Sequence, residues 1–289
     1  MKLAIGGAQF GLSYGITNSQ GKVTTEQVQE ILRIALSHDV SLIDTAISYG
    51  ASESVLGSND VKNFDIVTKL PLIPPYIDDL DSWLDSELTH SLKRLQVGSI
   101  YGLLVHQSEA LAGDKGSNLM KSLKRLKDRG VVEKIGVSIY DPTELDSISE
   151  VKDLDLVQAP LNIVDRRIIS SGWLNKLDMM DVEVHTRSSF LQGLLLLPRD
   201  QIPPKFEKWS SIWDFWHSEL VKNDLDPLSQ CLRSVLEVPQ VSRVIVGVDS
   251  SSQFRSIIDA AKVDTLRRDW TSMICDDHRL INPSNWAAF

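Results

Sequence analysis

The chain has 289 residues, 42% hydrophobic and 24% charged, with a formal net charge of -9 at pH 7. These values fit one folded domain of barrel size and speak against a general binder of nucleic-acid backbone, which needs a cationic face. Cys231 and Cys275 have no metal-site spacing and form no disulfide scaffold, and without a secretory or bilayer-length apolar run a cytoplasmic protein with no membrane partner is expected.

KLAI at 2–5 reads as a first strand, followed by the glycine-rich turn GGAQFG. Thr24 opens a helix with Gln27 in the capping-box position, and Val28, Ile31, Leu32 and Ala35 form its apolar stripe. VSLIDT at 40–45 is the second strand, with a short helix near 51–57 after it. FDIVTK (64–69), IYGLLVH (100–106) and VEKIGVS (132–138) are the next three strands. Between them lie a helix marked by Leu84, Leu88, Leu92 and Leu95 and another marked by Leu119, Leu123 and Leu126, ending at Gly130. Asp141 as cap, Pro142 at N1 and Glu144 at N3 announce a further helix. LDLVQAP (154–160), VEVHTR (182–187) and SRVIVG (242–247) complete the strands, and Ser250 with Gln253 caps a helix carrying Phe254, Ile257, Ile258 and Ala261.

Eight short strands, most followed by a helix, predict parallel pairing through right-handed crossovers and a closed (β/α)8 TIM barrel with 1–289 as a single domain. Residues 187–241 are too long for a simple connection and are expected to hold a helix and an excursion beside the pocket. Trp209, Trp213 and Trp216 form a one-face stripe that either packs a core or walls the pocket. The C-terminal tail, about 263–289, either folds over the barrel mouth or anchors outside it through Trp286 and Phe289.

Chemistry in such a barrel gathers at the C-terminal strand ends. Those ends carry Asp44, Lys69 and His106 after the second, third and fourth strands, with Tyr49 in the loop beyond Asp44. A nearby ammonium is expected to lower the phenol pKa of Tyr49, a carboxylate to keep the lysine charged, and imidazole to bond a substrate oxygen or help move its proton. Read singly, Asp44 is as well explained as a helix cap and Tyr49 as a rim aromatic; His185, also near a strand end, has no such company. Gln9, Phe10 and Tyr14 after the first strand are candidates to approach substrate. No His, Asp or Glu cluster has metal-ligand spacing.

These motifs, in order, resemble the aldo-keto reductases: LAIGGAQFG, LIDTAISYG, TKL, LLVHQSE, IGVSIYDP, VQAPLNIVDRR, RSSFLQGLL and VIVGVDSSSQF. The resemblance implies an NAD(P)H-dependent oxidoreductase that reversibly reduces an aldehyde or ketone, such as a sugar or other polar carbonyl, with no Rossmann domain. It makes Tyr49 the general acid and base, Lys69 its tuning partner, Asp44 the partner of Lys69, and His106 the group that orients the carbonyl. Ser138 and Gln158 would contact the nicotinamide carboxamide, and Asn162 would give structural support. Arg187, Ser188, Phe190, Gln192 and Gly193 would lie along the nicotinamide and pyrophosphate, and Gly247, Asp249, Ser250 and Gln253 near the adenosine half. A monomer is implied. The competing reading is a regulatory or interaction protein that binds the nucleotide on the same scaffold with little turnover.

Three positions depart from the family pattern. Ile139 stands where an asparagine is usual, and Arg187 where an aromatic stacks on nicotinamide. The final phosphate loop offers Asp249 and no Lys or Arg, with Arg255 two residues past the usual recognition position. Family frequency still puts NADP(H) ahead of NAD(H).

Overall fold

In the computed structural model, which describes residues 1–18, 20–148, 150–263 and 268–288, eight parallel strands close on themselves in chain order. They are β1 (Leu3–Gly6), β2 (Leu42–Asp44), β3 (Asp65–Leu70), β4 (Ile100–Val105), β5 (Val132–Ser138), β6 (Leu156–Pro160), β7 (Glu183–Arg187) and β8 (Val241–Gly247). The ring is completed by β1 pairing with both β2 and β8. Around it run α1 (Thr25–Leu36), α2 (Ser52–Gly57), α3 (Leu80–Leu95), α4 (Gly113–Asp128), α5 (Trp173–Met179), α6 (Ser210–Lys222), α7 (Pro227–Leu236) and α8 (Ser251–Lys262). Among the described residues no helix is long and apolar enough to cross a membrane.

The two-residue period of a strand sorts its side chains between two apolar environments. Ala4, Leu42, Val67, Leu104, Leu156 and Ile245 fill the barrel interior. Their strand neighbours Leu3, Ile43, Ile66, Leu103, Val157 and Val244 belong instead to the core between sheet and helices. Two residues beyond each interior position, toward the C-terminal ends, come Gly6, Asp44, Lys69, His106, Gln158 and Gly247. The pleat that makes a greasy plug therefore also aims the next layer into the mouth.

The helices follow from their periodicity. Val28, Ile31, Leu32 and Ala35 of α1 are buried, and the Thr24 hydroxyl accepts from the Gln27 N–H. Asp141, Pro142 and Glu144 do make a complete capping box, but the segment they open is the 3-10 turn Pro142–Ser147 rather than a full helix. Leu145, Ile148 and Val151 are the residues it and its continuation bury; a spacing of three suits the three-residue turn of a 3-10 helix better than an α-helix.

The long connection after β7 holds two helices, α6 and α7, preceded by 3-10 turns at Leu191–Leu196, Arg199–Gln201 and Pro204–Trp209. The tryptophan stripe packs a second apolar cluster with Ile163, Val164, Leu191, Met273, Leu280 and Trp286. Trp213 donates to the Phe206 carbonyl at 2.9 Å and Trp216 to the Leu195 carbonyl at 3.0 Å, so each buried indole N–H is paired. Truncating such a side chain typically costs about 3–5 kcal/mol, which makes the cluster a structural anchor for the excursion. The tail joins it through Trp286, edge-on to Phe206 at 4.8 Å; Phe289 lies outside the described residues.

Candidate active site

Strand register brings the predicted residues into one layer. Gly6 pairs with Asp44 and with Gly247, Lys69 with Leu104, Ser138 with Gln158, and Pro160 with Arg187. Asp44 and Lys69 meet at 2.6 Å, and the lysine also donates to the Thr45 carbonyl at 2.8 Å. The other Asp44 oxygen accepts from the Gln158 amide nitrogen at 2.7 Å. Both groups are buried, Lys69 to 1% exposure. Burial draws the ammonium below its usual pKa, while Asp44 pulls it back up.

Tyr49 is delivered by a tightly tied loop. The Ile47 N–H bonds the Lys69 carbonyl at 3.1 Å, and the Ser52 N–H bonds the Tyr49 carbonyl at 3.0 Å. Gly11 packs so close that a Cβ there would collide with the Tyr49 carbonyl, which explains a glycine in the turn after β1. The Lys69 ammonium lies over the Tyr49 ring, 5.2 Å from its centroid. His106 stands edge-on to the same ring at 5.8 Å and contacts the Ser48 hydroxyl through Nδ1 at 3.3 Å. Asp44, Tyr49, Lys69 and His106 are thus brought together as the sequence suggests.

The electrostatics differ from the expectation in one respect. Burial, then the charge of Asp44, raises the Tyr49 phenol above its usual 10.0, with Arg187 acting in the opposite direction. The phenol therefore stays protonated near neutrality and is set as a donor. His106 is lowered to about 4, chiefly by burial and then by Lys69, so its imidazole is neutral there.

A groove of about 400 Å³ opens beside this cluster, lined by Gly6, Gln9, Tyr14, Asp44, Tyr49, Gln158, Arg187 and, farther along, Gly193, Gly247, Asp249 and Gln253. Ser188, Phe190 and Gln192 line it too. Ser188, Leu191, Gln192 and Gly193 all have positive φ, from 48 to 91°, folding the loop after β7 along the groove wall. Asn162 steadies it by donating to the Ser188 carbonyl at 3.0 Å. Phe10 is instead a core residue, and Ser138, buried at the end of β5, is not part of the lining. His185, level with Gln158 on the neighbouring strand, is fully buried, its Nε2 3.4 Å from Glu183.

At the far end, Ser250 caps α8 by accepting from the Gln253 N–H at 3.2 Å. The Asp249 and Ser251 N–H groups are already bonded to the side-chain oxygens of Gln253 and Gln27. Fewer helix N–H groups are therefore open to a phosphate than the sequence suggests. Asp249 accepts from Asn18 at 3.2 Å, and Arg255 is paired with Glu30 at 2.7 Å.

Arg187 makes no ion pair with Asp44, whose oxygens are taken. Its guanidinium donates to the Ile139 carbonyl at 2.9 Å and lies over the Tyr140 ring at 4.4 Å. Sequence reasoning missed Tyr140, the groove residue Thr17, and the tie from Asn18 to Asp249. Asn18 with Gly21 is a turn signature, its Oδ1 accepting from the Gly21 N–H at 2.8 Å, and could have drawn attention to this loop. Ser189, a groove residue whose buried hydroxyl has no hydrogen-bond partner, was not singled out either.

Comparison with known proteins agrees with this geometry. A family model described as the Aldo/keto reductase family matches residues 2–275. The aldo-keto reductase YhdN of Bacillus subtilis (strain 168) is 29% identical over 157 residues, covering 49% of this chain and 46% of that protein, so the chain spans about half the length of the curated relative it matches. Among solved structures, aldo-keto reductase AKR11C1 from Bacillus halodurans in its holo form superposes with a TM-score of 0.75 at 18% identity, over 96% of this chain and 95% of that one. The glycerol dehydrogenase AKR11B4 from Gluconobacter oxydans gives 0.70 at 23% identity, over 98% and 92%. At these identities the two structures speak for the fold.

Proposed function

The chain belongs to the aldo/keto reductase family, and from that premise we propose that it is a nicotinamide-dependent oxidoreductase that reversibly reduces an aldehyde or ketone to the alcohol. The observation that carries this reading is the buried Asp44–Lys69 pair beneath Tyr49, with neutral His106 at the edge of the same ring. Reduction adds a hydride to the carbonyl carbon and a proton to its oxygen. A nicotinamide coenzyme held in the groove would supply that hydride. Tyr49 supplies the proton, and the Lys69 ammonium steadies the phenolate left behind. Neutral His106 donates a hydrogen bond to the carbonyl oxygen and orients it.

The groove fits such a coenzyme on its own features. Ser189, one of its lining residues, has a buried hydroxyl without a hydrogen-bond partner, and the run of positive φ from Leu191 to Gly193 turns backbone along its wall. Gly247 leaves room where a Cβ would press on Gln9. Gln158, with its amide nitrogen on Asp44, keeps its carbonyl oxygen to accept from a carboxamide. Among the described residues lining the groove, Arg187 is the only Lys or Arg. With Arg255 held by Glu30 and Asp249 at the adenosine end, this arrangement favours NAD(H) over NADP(H), against the expectation from family frequency.

The test is coenzyme oxidation by the purified protein across an aldehyde panel, with NADH and NADPH compared, as a function of pH. Reduction requires protonated Tyr49 and neutral His106. The first holds below a pKa raised above 10.0 and the second above about 4, so the reductive kcat should be flat between about pH 5 and pH 9. Alcohol oxidation needs the phenolate and should climb with pH throughout that range. Tight coenzyme binding with no turnover on any carbonyl would favour the regulatory reading instead.

A further inference from the structure

Resting on the reductase reading, we propose that Arg187 makes the groove discriminate between the two oxidation states of the nicotinamide, holding the neutral reduced ring and repelling the cationic oxidised one. Charge accounting leads there. Among the described residues, the charged side chains lining the groove are Asp44, Arg187 and Asp249. Asp44 is cancelled by Lys69 at 2.6 Å, with its second oxygen taken by Gln158. Asp249 stands at the adenosine end, bonded to Asn18 at 3.2 Å. No carboxylate among the described residues pairs with Arg187; its bonds are to the Ile139 carbonyl at 2.9 Å and the Ser188 hydroxyl at 3.4 Å. The chemical end of the groove therefore keeps one uncompensated positive charge.

The reaction itself puts the ring beside that charge. Hydride must pass to a carbonyl whose oxygen meets the Tyr49 hydroxyl, so the ring has to lie in the stretch of groove shared by Asp44, Tyr49, Gln158 and Arg187. Arg187 also occupies the position where the family pattern stacks an aromatic on nicotinamide. The Ile139 carbonyl holds one edge of the guanidinium and the Tyr140 ring backs it at 4.4 Å, which makes it a flat, fixed wall. Its charge reaches across the site, opposing the rise that burial gives Tyr14 and Tyr49 and adding to the fall that burial gives Lys69 and His106. A neutral dihydronicotinamide loses nothing against such a face. An oxidised ring brings a like charge into a partly desolvated site, where like charges are costly.

The consequence is a bias in the bound couple. When an alcohol is oxidised, its C–H bond breaks with the electron pair passing to the oxidised ring, and its O–H proton passes to the Tyr49 phenolate. The positive charge beside Arg187 is thereby removed. Equilibrium on the protein shifts toward carbonyl and reduced coenzyme, by about 30 mV for each tenfold in the ratio of dissociation constants. In the reductive direction the same repulsion favours departure of the oxidised coenzyme.

The test is isothermal titration without substrate, using NADH, NAD⁺, NADPH, NADP⁺ and ADP-ribose, which lacks the nicotinamide. In whichever pair binds the more tightly, the intact protein should hold the reduced form about tenfold or more above the oxidised one. Arg187→Met should tighten the oxidised form by about tenfold while the reduced form and ADP-ribose stay within about threefold. Arg187→Gln, a second neutral replacement, should do the same if the methionine variant fails to fold, and Arg187→Lys should keep part of the preference. A gain of affinity on losing a side chain is what a plain wall would not give. Equal affinities for the two oxidation states in the intact protein would overturn the proposal, as would equal weakening of both in the neutral variants. Weaker ADP-ribose binding in those variants would also overturn it, placing the guanidinium on the pyrophosphate instead. Those results leave the reductase reading standing; binding of neither oxidation state to the intact protein removes both.

Discussion

Replacing Tyr49 with phenylalanine lowers carbonyl reduction by about 10²- to 10⁴-fold, the scale of a positioned proton donor, with coenzyme affinity within a few-fold of the parent. The substitution removes one oxygen and keeps the ring that Lys69 and His106 pack against. The fold should be indifferent, because the Tyr49 loop is held by its backbone bonds and by the close approach of Gly11. The loss should fall on kcat, since the proton is needed only as negative charge develops on the carbonyl oxygen. Steady-state kinetics beside a fluorescence titration of coenzyme separates the two quantities. A variant that is folded, binds coenzyme and reduces aldehydes at the parent rate would remove Tyr49 from the chemistry.

The second large effect is on stability. Asp44→Asn leaves the Lys69 ammonium, 1% exposed, with only the Thr45 carbonyl and a neutral amide around it. Breaking a buried ion pair from one side typically costs about 3–5 kcal/mol, because the remaining charge has lost its compensation. Urea unfolding should show that loss, accompanied by a steep drop in turnover. Replacing both partners with apolar residues of similar volume, Asp44→Leu with Lys69→Met, should recover much of the stability and none of the activity. Recovery of both would mean that the pair is scaffolding alone.

The barrel was legible because its strands are short apolar runs between turn signals, and eight of them in this length leave few topologies. The site was legible for the same physical reason: Asp44, Lys69, His106 and Gln158 each sit two residues past an interior apolar residue, so the pleat that buries Leu42, Val67, Leu104 and Leu156 fixes where they point. What sequence could not give is competition between partners. The pairing of Asp44 with Lys69 was expected, but the raised phenol of Tyr49, set first by burial and then by the Asp44 charge, depends on how deeply the loop seats the ring. The pairing of Arg255 with Glu30 joins residues far apart in the chain. The turn at Pro142–Ser147 carried every helix-start signal, yet burial of Leu145, Ile148 and Val151 at spacings of three selected a 3-10 path.

Following a deuterium from the coenzyme tests the account most directly. The protein is mixed with NADH or NADPH deuterated at the transferable position of the nicotinamide, together with the best aldehyde of the panel, and the alcohol is examined by NMR. The account predicts deuterium on the carbinol carbon with the parent protein and almost none with Tyr49→Phe at equal coenzyme occupancy. Coenzyme bound in full with no label in any alcohol would contradict it.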